Sequence, residues 1–301
     1  MAAVNQILIL FIIMFIGIIA KKKSIINENI EKSISTLLVK IGMPAMVLSS
    51  SSIAYSSDIL PNMISIFLIT VVSYIAIIAF GMLSSKVLKF EKNTANVYTA
   101  LIVFANVGFM GYPVARALYG EIGVFYCSII NLVFSTMVWT YGILLFNSKG
   151  KLNLKSLANI GTISSLLAIS LFLFQIHIPG PILAALDLTG RMTTPLSMLL
   201  IGALIANLNG AELFSDWKVY YTSLIKLLVI PLITALILKL LNCNEIVISM
   251  CTIMAAMPAA ATNAIFAKEF DVSPSFASIG VFITTMLCIV TLPFILYFLT
   301  L

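Results

Sequence analysis

Ten apolar stretches, parted by short polar ones, leave this chain few ways to fold. They run over 4–20, 31–50, 60–85, 94–119, 121–146, 155–175, 189–207, 217–241, 245–270 and 274–299. About twenty apolar residues of α-helix cross the hydrocarbon core of a bilayer. Inside that core, outside closed barrels, only helices satisfy their own backbone polar groups. Of the 301 residues, 61% are hydrophobic and 9% charged. An ordinary soluble domain carries about a quarter charged residues, so the sequence reads as a helical protein that crosses the membrane many times. The first stretch is followed at once by Lys21-Lys22-Lys23. A cleaved signal peptide carries its positive charge before the apolar run, so this stretch reads as a retained span.

Lysine and arginine set the orientation of such a chain. With the first loop inside, the odd-numbered loops and their flanks hold twelve: Lys21, Lys22, Lys23, Lys32, Lys86, Lys89, Lys92, Lys149, Lys151, Lys155, Lys218 and Lys268. The opposite side collects three, Arg116, Arg191 and Lys239. Both termini are therefore expected outside the cytoplasm, with the lysine-rich loops inside. The net charge of +6 is a signal of topology and not of nucleic-acid binding.

Two of the stretches are chemically unsuited to a plain helix. One carries Ala105-Asn106-Val107-Gly108-Phe109-Met110-Gly111-Tyr112-Pro113, the other Met257-Pro258-Ala259-Ala260-Ala261-Thr262-Asn263. Proline lacks an N–H and clashes with the preceding turn, and glycine lets the backbone leave helical geometry. In lipid such a break survives only where protein covers it or where it lines a cavity. The breaks fall in the fourth and ninth stretches. The second and seventh carry Gly42-Met43-Pro44 and Thr194-Pro195-Leu196. This pattern predicts two five-helix repeats, 1–147 and 153–301, joined by a linker at about Asn147–Asn153. Five is odd, so the second repeat enters the membrane inverted, and the two breaks meet near the midplane. The expected fold class is an all-α membrane protein: ten helices in a 5+5 inverted repeat, with the fourth and ninth broken and crossing.

A break exposes the N-terminal end of its second half-helix. Free N–H groups and aligned peptide dipoles give that end partial positive charge, and two such ends facing one cavity hold an anion. The candidate substrate-binding residues are Asn106, Gly108, Gly111, Pro113, Pro258, Ala259, Asn263 and Lys226, with the exposed helix ends expected at Gly111–Pro113 and Pro258–Ala260. Asn106 and Asn263 offer amide donors, to a substrate or to loose backbone. Lys226 lies within a span, where an ammonium is costly and marks a functional candidate; a lysine that snorkels toward the cytoplasmic face is the competing reading. Lys40, a little over two turns past Lys32, is expected to snorkel. No carboxylate falls in mid-span: Asp58, Glu121, Asp187, Glu212, Asp216, Glu245, Glu269 and Asp271 read as span ends or loops, as do Glu28, Glu31 and Glu91. That weakens a carboxylate-based proton relay and leaves open a sodium ion held by carbonyl, amide and hydroxyl oxygens.

Other classes find less support. There is no HExxH helix, nucleotide loop or Ser/His/Asp set, so an enzyme is not expected. A channel calls for a repeated filter loop or a ring of charge, and neither is visible. Cys127, Cys243, Cys251 and Cys288 are scattered and read as packing residues, with no metal and no other cofactor expected. His177, the single histidine, sits beside Pro179 in an outer loop. Ser49–Ser52 read as a helix end.

The stretches Asn106-Val-Gly-Phe-Met-Gly-Tyr-Pro113, Ala117-Leu-Tyr-Gly-Glu121, Ile265-Phe-Ala-Lys-Glu-Phe270 and Ile41-Gly-Met-Pro44, with Pro258 and Pro274, make the chain resemble the auxin efflux carrier family. The resemblance spans nearly the whole length and implies the ten-helix fold of bile-acid/sodium symporters. It implies a scaffold of helices 1, 2, 6 and 7, often the contact of a homodimer. Helices 3–5 and 8–10 then form a moving transport bundle. Asn106 and Pro113 match the family's first crossover and Pro258 its second. The long cytoplasmic loop of large plant members is replaced here by a short one. The expected function is secondary transport of small organic anions, auxin-like monocarboxylates or dicarboxylates such as malate, by elevator-type alternating access. A sodium-coupled symporter of the bile-acid type and a channel-like anion pore are the alternatives. Membrane lipid is the other partner expected, and nucleic acid is not.

Overall fold

A computed structural model describes residues 2–147, 154–206 and 216–299. The expected linker at Asn147–Asn153, with Lys149 and Lys151, lies outside the described residues apart from its first residue, and so does Glu212. All regular structure in the described residues is helical, with no strand among them. The helices are α1 (Ala2–Lys22), α2 (Glu28–Leu37), α3 (Met43–Ser50), α4 (Ile59–Val87), α5 (Lys92–Val103), α6 (Tyr112–Met137), α7 (Ile143–Phe146) and α8 (Ile160–Leu173). They continue with α9 (Gly180–Arg191), α10 (Thr193–Ile205), α11 (Trp217–Leu224), α12 (Ile230–Leu240), α13 (Glu245–Ala255), α14 (Ala261–Glu269) and α15 (Pro274–Leu299).

Among the described residues, seven helical runs are long and apolar enough to cross a membrane. The longest, Val107–Phe146 at 40 residues, is not straight, because Gly120 within it takes φ 59° and ψ −141°. Only glycine adopts that region without strain, so Gly120 makes a corner between two lengths of helix. Apolar α8 and α13 are shorter than a full span. On α1 and α4, Ile12, Phe15, Ile16, Leu68, Val72 and Ile75 are exposed. Such a surface needs an apolar solvent around it, which lipid supplies.

Three prolines explain three wide turns. Residues Leu38–Gly42, Val107–Gly111 and Ile225–Val229 form π-helical turns, and Pro44, Pro113 and Pro231 each stand two residues beyond one. A proline ring collides with the carbonyl four residues back, here Lys40, Phe109 and Leu227, all inside those turns. Widening the turn to i→i+5 bonding moves that carbonyl away, as the bonds from Met43 N–H to Leu38 O and from Ile230 N–H to Ile225 O record.

By their contacts the residues divide into two compact units. The first takes Met1–Met63, Gly108–Leu132 and Ala158–Leu208. In it α1 packs on α10, and α3 on both α8 and α9. Glycines set the closeness: a Cβ at Gly17 would collide with the Leu199 carbonyl, and one at Gly202 with the Met14 carbonyl. Small residues that bring backbones together are how helices associate where lipid removes the hydrophobic drive. The second unit takes Ile64–Val107, Val133–Leu157 and Asn209–Leu301. Its core gathers Tyr98, Leu101, Phe104, Ala259, Phe266 and Ile279, and α15 packs on α5, α11 and α14.

Two expectations about boundaries are corrected. The stretch expected from 189 begins earlier, because Pro179, Gly180 and Pro181 open α9 at Gly180. Asp187 therefore lies inside a helix and not at its end. The helix after the first interruption restarts at Val107, so Gly111 and Pro113 are not at a helix start. The proline that suggested a restart is absorbed within the helix by the π-turn ahead of it.

Candidate functional site

Both interruptions lie in the second unit, and their backbones are joined. α5 stops at Val103, and Phe104 turns extended with φ −90° and ψ 98°. α13 stops at Ala255 and α14 begins at Ala261. Between them, Ala105 and Ala259 form an isolated antiparallel β-bridge. The Asn106 N–H donates to the Pro258 carbonyl at 2.7 Å, and the Ala260 N–H to the Phe104 carbonyl at 2.9 Å. A buried amide with no partner costs about 1–3 kcal/mol, so two segments that have left helical geometry satisfy each other. Pro258 has no N–H to leave unpaired and contributes its carbonyl.

Side chains complete the join. Asn263 is buried, and its Nδ2 donates to the Phe104 carbonyl at 3.3 Å. The Ala259 N–H donates to Thr284 Oγ1 of α15 at 3.2 Å, and the Thr284 hydroxyl donates to the Gly280 carbonyl at 2.7 Å. One turn along α15, the Cys288 thiol donates to the Ala256 carbonyl at 3.8 Å. Asn106 is buried as well.

The start of α14 is chemically bare. Its N-cap, Ala260, has no side chain that could bond the first amides, so the partial positive charge of that end is not quenched by a cap. Thr262 Oγ1, in the same first turn, is buried without a hydrogen-bond partner among the described residues. Gly108 lies in the restarted helix, where a Cβ would touch only the side chain of Met43.

Lys226 does not snorkel. It lies in the π-turn Ile225–Val229 with 1% of its surface exposed. Among the described residues no acid forms a salt bridge with it. An unpaired buried ammonium costs several kcal/mol. Lys40, by contrast, is exposed on its own π-turn.

The structure thus places Asn106, Pro258 and Ala259 on the joined backbones, with Asn263 bonded to them through its side chain. Lys226 makes no hydrogen bond or ion pair with the join among the described residues; its π-turn packs on α15. Gly111 and Pro113 stand apart, further along the restarted helix. Thr284 and Cys288 were not foreseen, because one Thr and one Cys in an apolar helix read as packing. Their spacing of four residues, which puts both on one helix face, was the available signal.

A second polar cluster lies in the first unit. Arg116 Nη2 is 2.6 Å from both Glu121 Oε1 and Asp187 Oδ1, and Arg191 Nε donates to Asp187 Oδ2 at 2.9 Å. Two carboxylates and two guanidinium groups alternate, each acid meeting a base. Glu121, next to the corner at Gly120, stands at the end of a length of helix, as expected, whereas Asp187 lies inside α9.

The fold and the joined interruptions are those of a multi-pass membrane protein with irregular backbone held inside it, a feature of transporters. The chain belongs to the membrane transport protein family, whose model matches residues 2–157 and 150–296, as the resemblance to auxin efflux carriers implied. It is 25% identical over 297 residues to an uncharacterised transporter of Methanocaldococcus jannaschii, covering 95% of each chain. It is 24% identical over 310 residues to one of Methanothermobacter thermautotrophicus, covering 97% of each. With the uncharacterised transporter YfdV of Escherichia coli it shares 22% over 312 residues, 98% of this chain and 96% of the other.

Proposed function

We propose that this chain is a secondary carrier for small organic anions, monocarboxylates such as auxin-like acids or dicarboxylates such as malate. The anion binds beside the joined interruptions, at the amide-bearing starts of the helices at Val107 and Ala261, with Asn106 as a further donor. The observation that carries this reading is the bridge between Ala105 and Ala259. It brings two helix interruptions to one place, and the start of α14, which has no side-chain cap, is the kind of helix end that attracts carboxylates. Thr262 Oγ1, buried and unpartnered in the first turn of α14, adds a hydroxyl donor.

The finer architecture belongs to the same reading. Ten spans follow when α2 with α3, α9 with α10, and α11 with α12 each count as one, Gly120 divides Val107–Phe146, and the two interrupted helices each cross once. The packing of α1 on α10 is answered by that of α8 on α3, as a five-plus-five inverted repeat requires. Helices 1, 2, 6 and 7 then serve as scaffold and homodimer contact, and the remainder as an elevator. Both termini face outward.

The test is uptake of labelled malate and indole-3-acetate into liposomes holding the purified protein. Thr262→Glu, which sets a carboxylate at the start of α14, and Asn106→Ala are each expected to lower uptake about tenfold or more. Uptake unchanged in both variants overturns the site. A wild type that moves neither acid, nor any other in a panel of small carboxylates, overturns the function.

A further inference from the structure

Four charges of the first unit, Arg116, Glu121, Asp187 and Arg191, form an alternating chain that divides evenly. The half-helix that restarts at Val107 carries Arg116 and runs to the corner at Gly120, and Glu121 stands just past that corner. Asp187 and Arg191 lie one turn apart on α9. Arg116 Nη2 is 2.6 Å from Glu121 Oε1 on its own side and 2.6 Å from Asp187 Oδ1 on α9. Asp187 Oδ2 is 2.9 Å from Arg191 Nη2. Without the middle contact the chain falls into two neutral pairs, Arg116 with Glu121 and Asp187 with Arg191.

The middle contact is also a single bond. A guanidinium can grip a carboxylate with two parallel bonds, but Asp187 gives its second oxygen to Arg191. Arg116 Nη1 and Glu121 Oε2 are buried without a hydrogen-bond partner among the described residues. A lone charge within a span is costly, so charges there stay paired. Here the contact between the two elements can part while every charge keeps a partner.

We infer that the Arg116–Asp187 contact is the outer gate of this carrier, closed in this structure, and that it opens by splitting the four charges into two neutral pairs. The inference rests on the reading of the chain as an elevator-type carrier. In that reading the helix from Val107 and the length after Gly120 belong to the moving bundle. α9 belongs to the scaffold, and the arginines mark the outer side. By contacts, Gly108–Leu132 groups with α9, so opening outward has to separate them. An ion pair made in only one of two states shifts the balance toward that state. Its loss therefore raises the open fraction without touching the interruptions themselves. The pairs left behind are neutral, so no buried charge is stranded when the path opens.

Thiol labelling from outside tests the gate. The reporter is Gly108→Cys, where a Cβ meets only the Met43 side chain, combined with Cys243→Ser; Cys127, Cys251 and Cys288 are buried. Intact cells expressing this parent are treated with a membrane-impermeant maleimide. The parent is expected to label slowly, and Asp187→Asn or Arg116→Gln about tenfold faster or more, as the open fraction rises. The two changes together are expected to label no faster than either alone, because one contact is lost in each case. Arg191→Gln leaves that contact in place and is expected to label at the parent rate, as is Asp187→Glu. A parent labelled as fast as Asp187→Asn, or Arg191→Gln as fast as Asp187→Asn, overturns the inference. Where Arg116→Gln does not fold, Asp187→Asn and Asp187→Glu decide. No substrate is present, so the result is independent of the cargo. The anion reading fails separately, when wild type takes up no carboxylate.

Discussion

The backbone N–H of Asn106 and the carbonyl of Pro258 lie 2.7 Å apart, although 152 positions separate them in the chain. With the bond from Ala260 to Phe104, this contact joins two helix interruptions through main-chain atoms.

Asn263 is the side chain that secures the join. Asn263→Ala strips the Phe104 carbonyl of one donor in a buried setting and is expected to lower stability by about 1–3 kcal/mol. Thermal melting in detergent measures it. An unshifted melting temperature places Asn263 outside the supporting framework.

Thr284 makes a sharper pair of variants. Thr284→Val keeps the shape and leaves the buried Ala259 N–H without its acceptor, at an expected cost of about 1–3 kcal/mol. Thr284→Ser keeps the oxygen and is expected to melt within a few degrees of wild type. If both variants lose stability equally, lost methyl packing and not the hydrogen bond is responsible.

The glycines of the first unit separate crowding from strain. Gly202→Ala drives a methyl into the Met14 carbonyl and is expected to destabilise by about 1–3 kcal/mol or more through overpacking. Gly120→Ala meets no other part of the described residues within 4 Å, yet its φ of 59° costs about 1–3 kcal/mol for a residue with a Cβ. A second-site change of Met14 cannot relieve Gly202→Ala, because the obstacle is main chain. Rescue by Met14→Ala counts against this account.

Arg116 holds two carboxylates at once. Arg116→Ala is expected to destabilise more than Arg191→Ala, because Arg116 reaches both Glu121 and Asp187 while the mostly exposed Arg191 reaches Asp187 alone. Exposed pairs contribute only about 0–1 kcal/mol, which bounds the Arg191 variant. Melting of the two single variants side by side checks the order, and the reverse order sinks it.

The membrane class and the places where helices stop were legible because both follow from local chemistry. Apolar runs demand lipid, and Gly, Asn and Pro within a few residues demand an interruption. Where the first helix restarts was not legible. Pro113 pointed to a start at Gly111–Pro113, but the π-turn at Val107–Gly111 accommodates the ring from within the helix. Asp187 was misplaced for a related reason, since its charge signals a span end until Arg116, 71 positions away, is seen beside it. The spacing of Thr284 and Cys288 puts them on one helix face, but that this face meets the second interruption became visible only through tertiary contact.

The join between Phe104–Asn106 and Pro258–Ala260 uses atoms that most amino acids possess. Selection can therefore redecorate the surroundings, and with them the choice of cargo, while leaving the stitching intact.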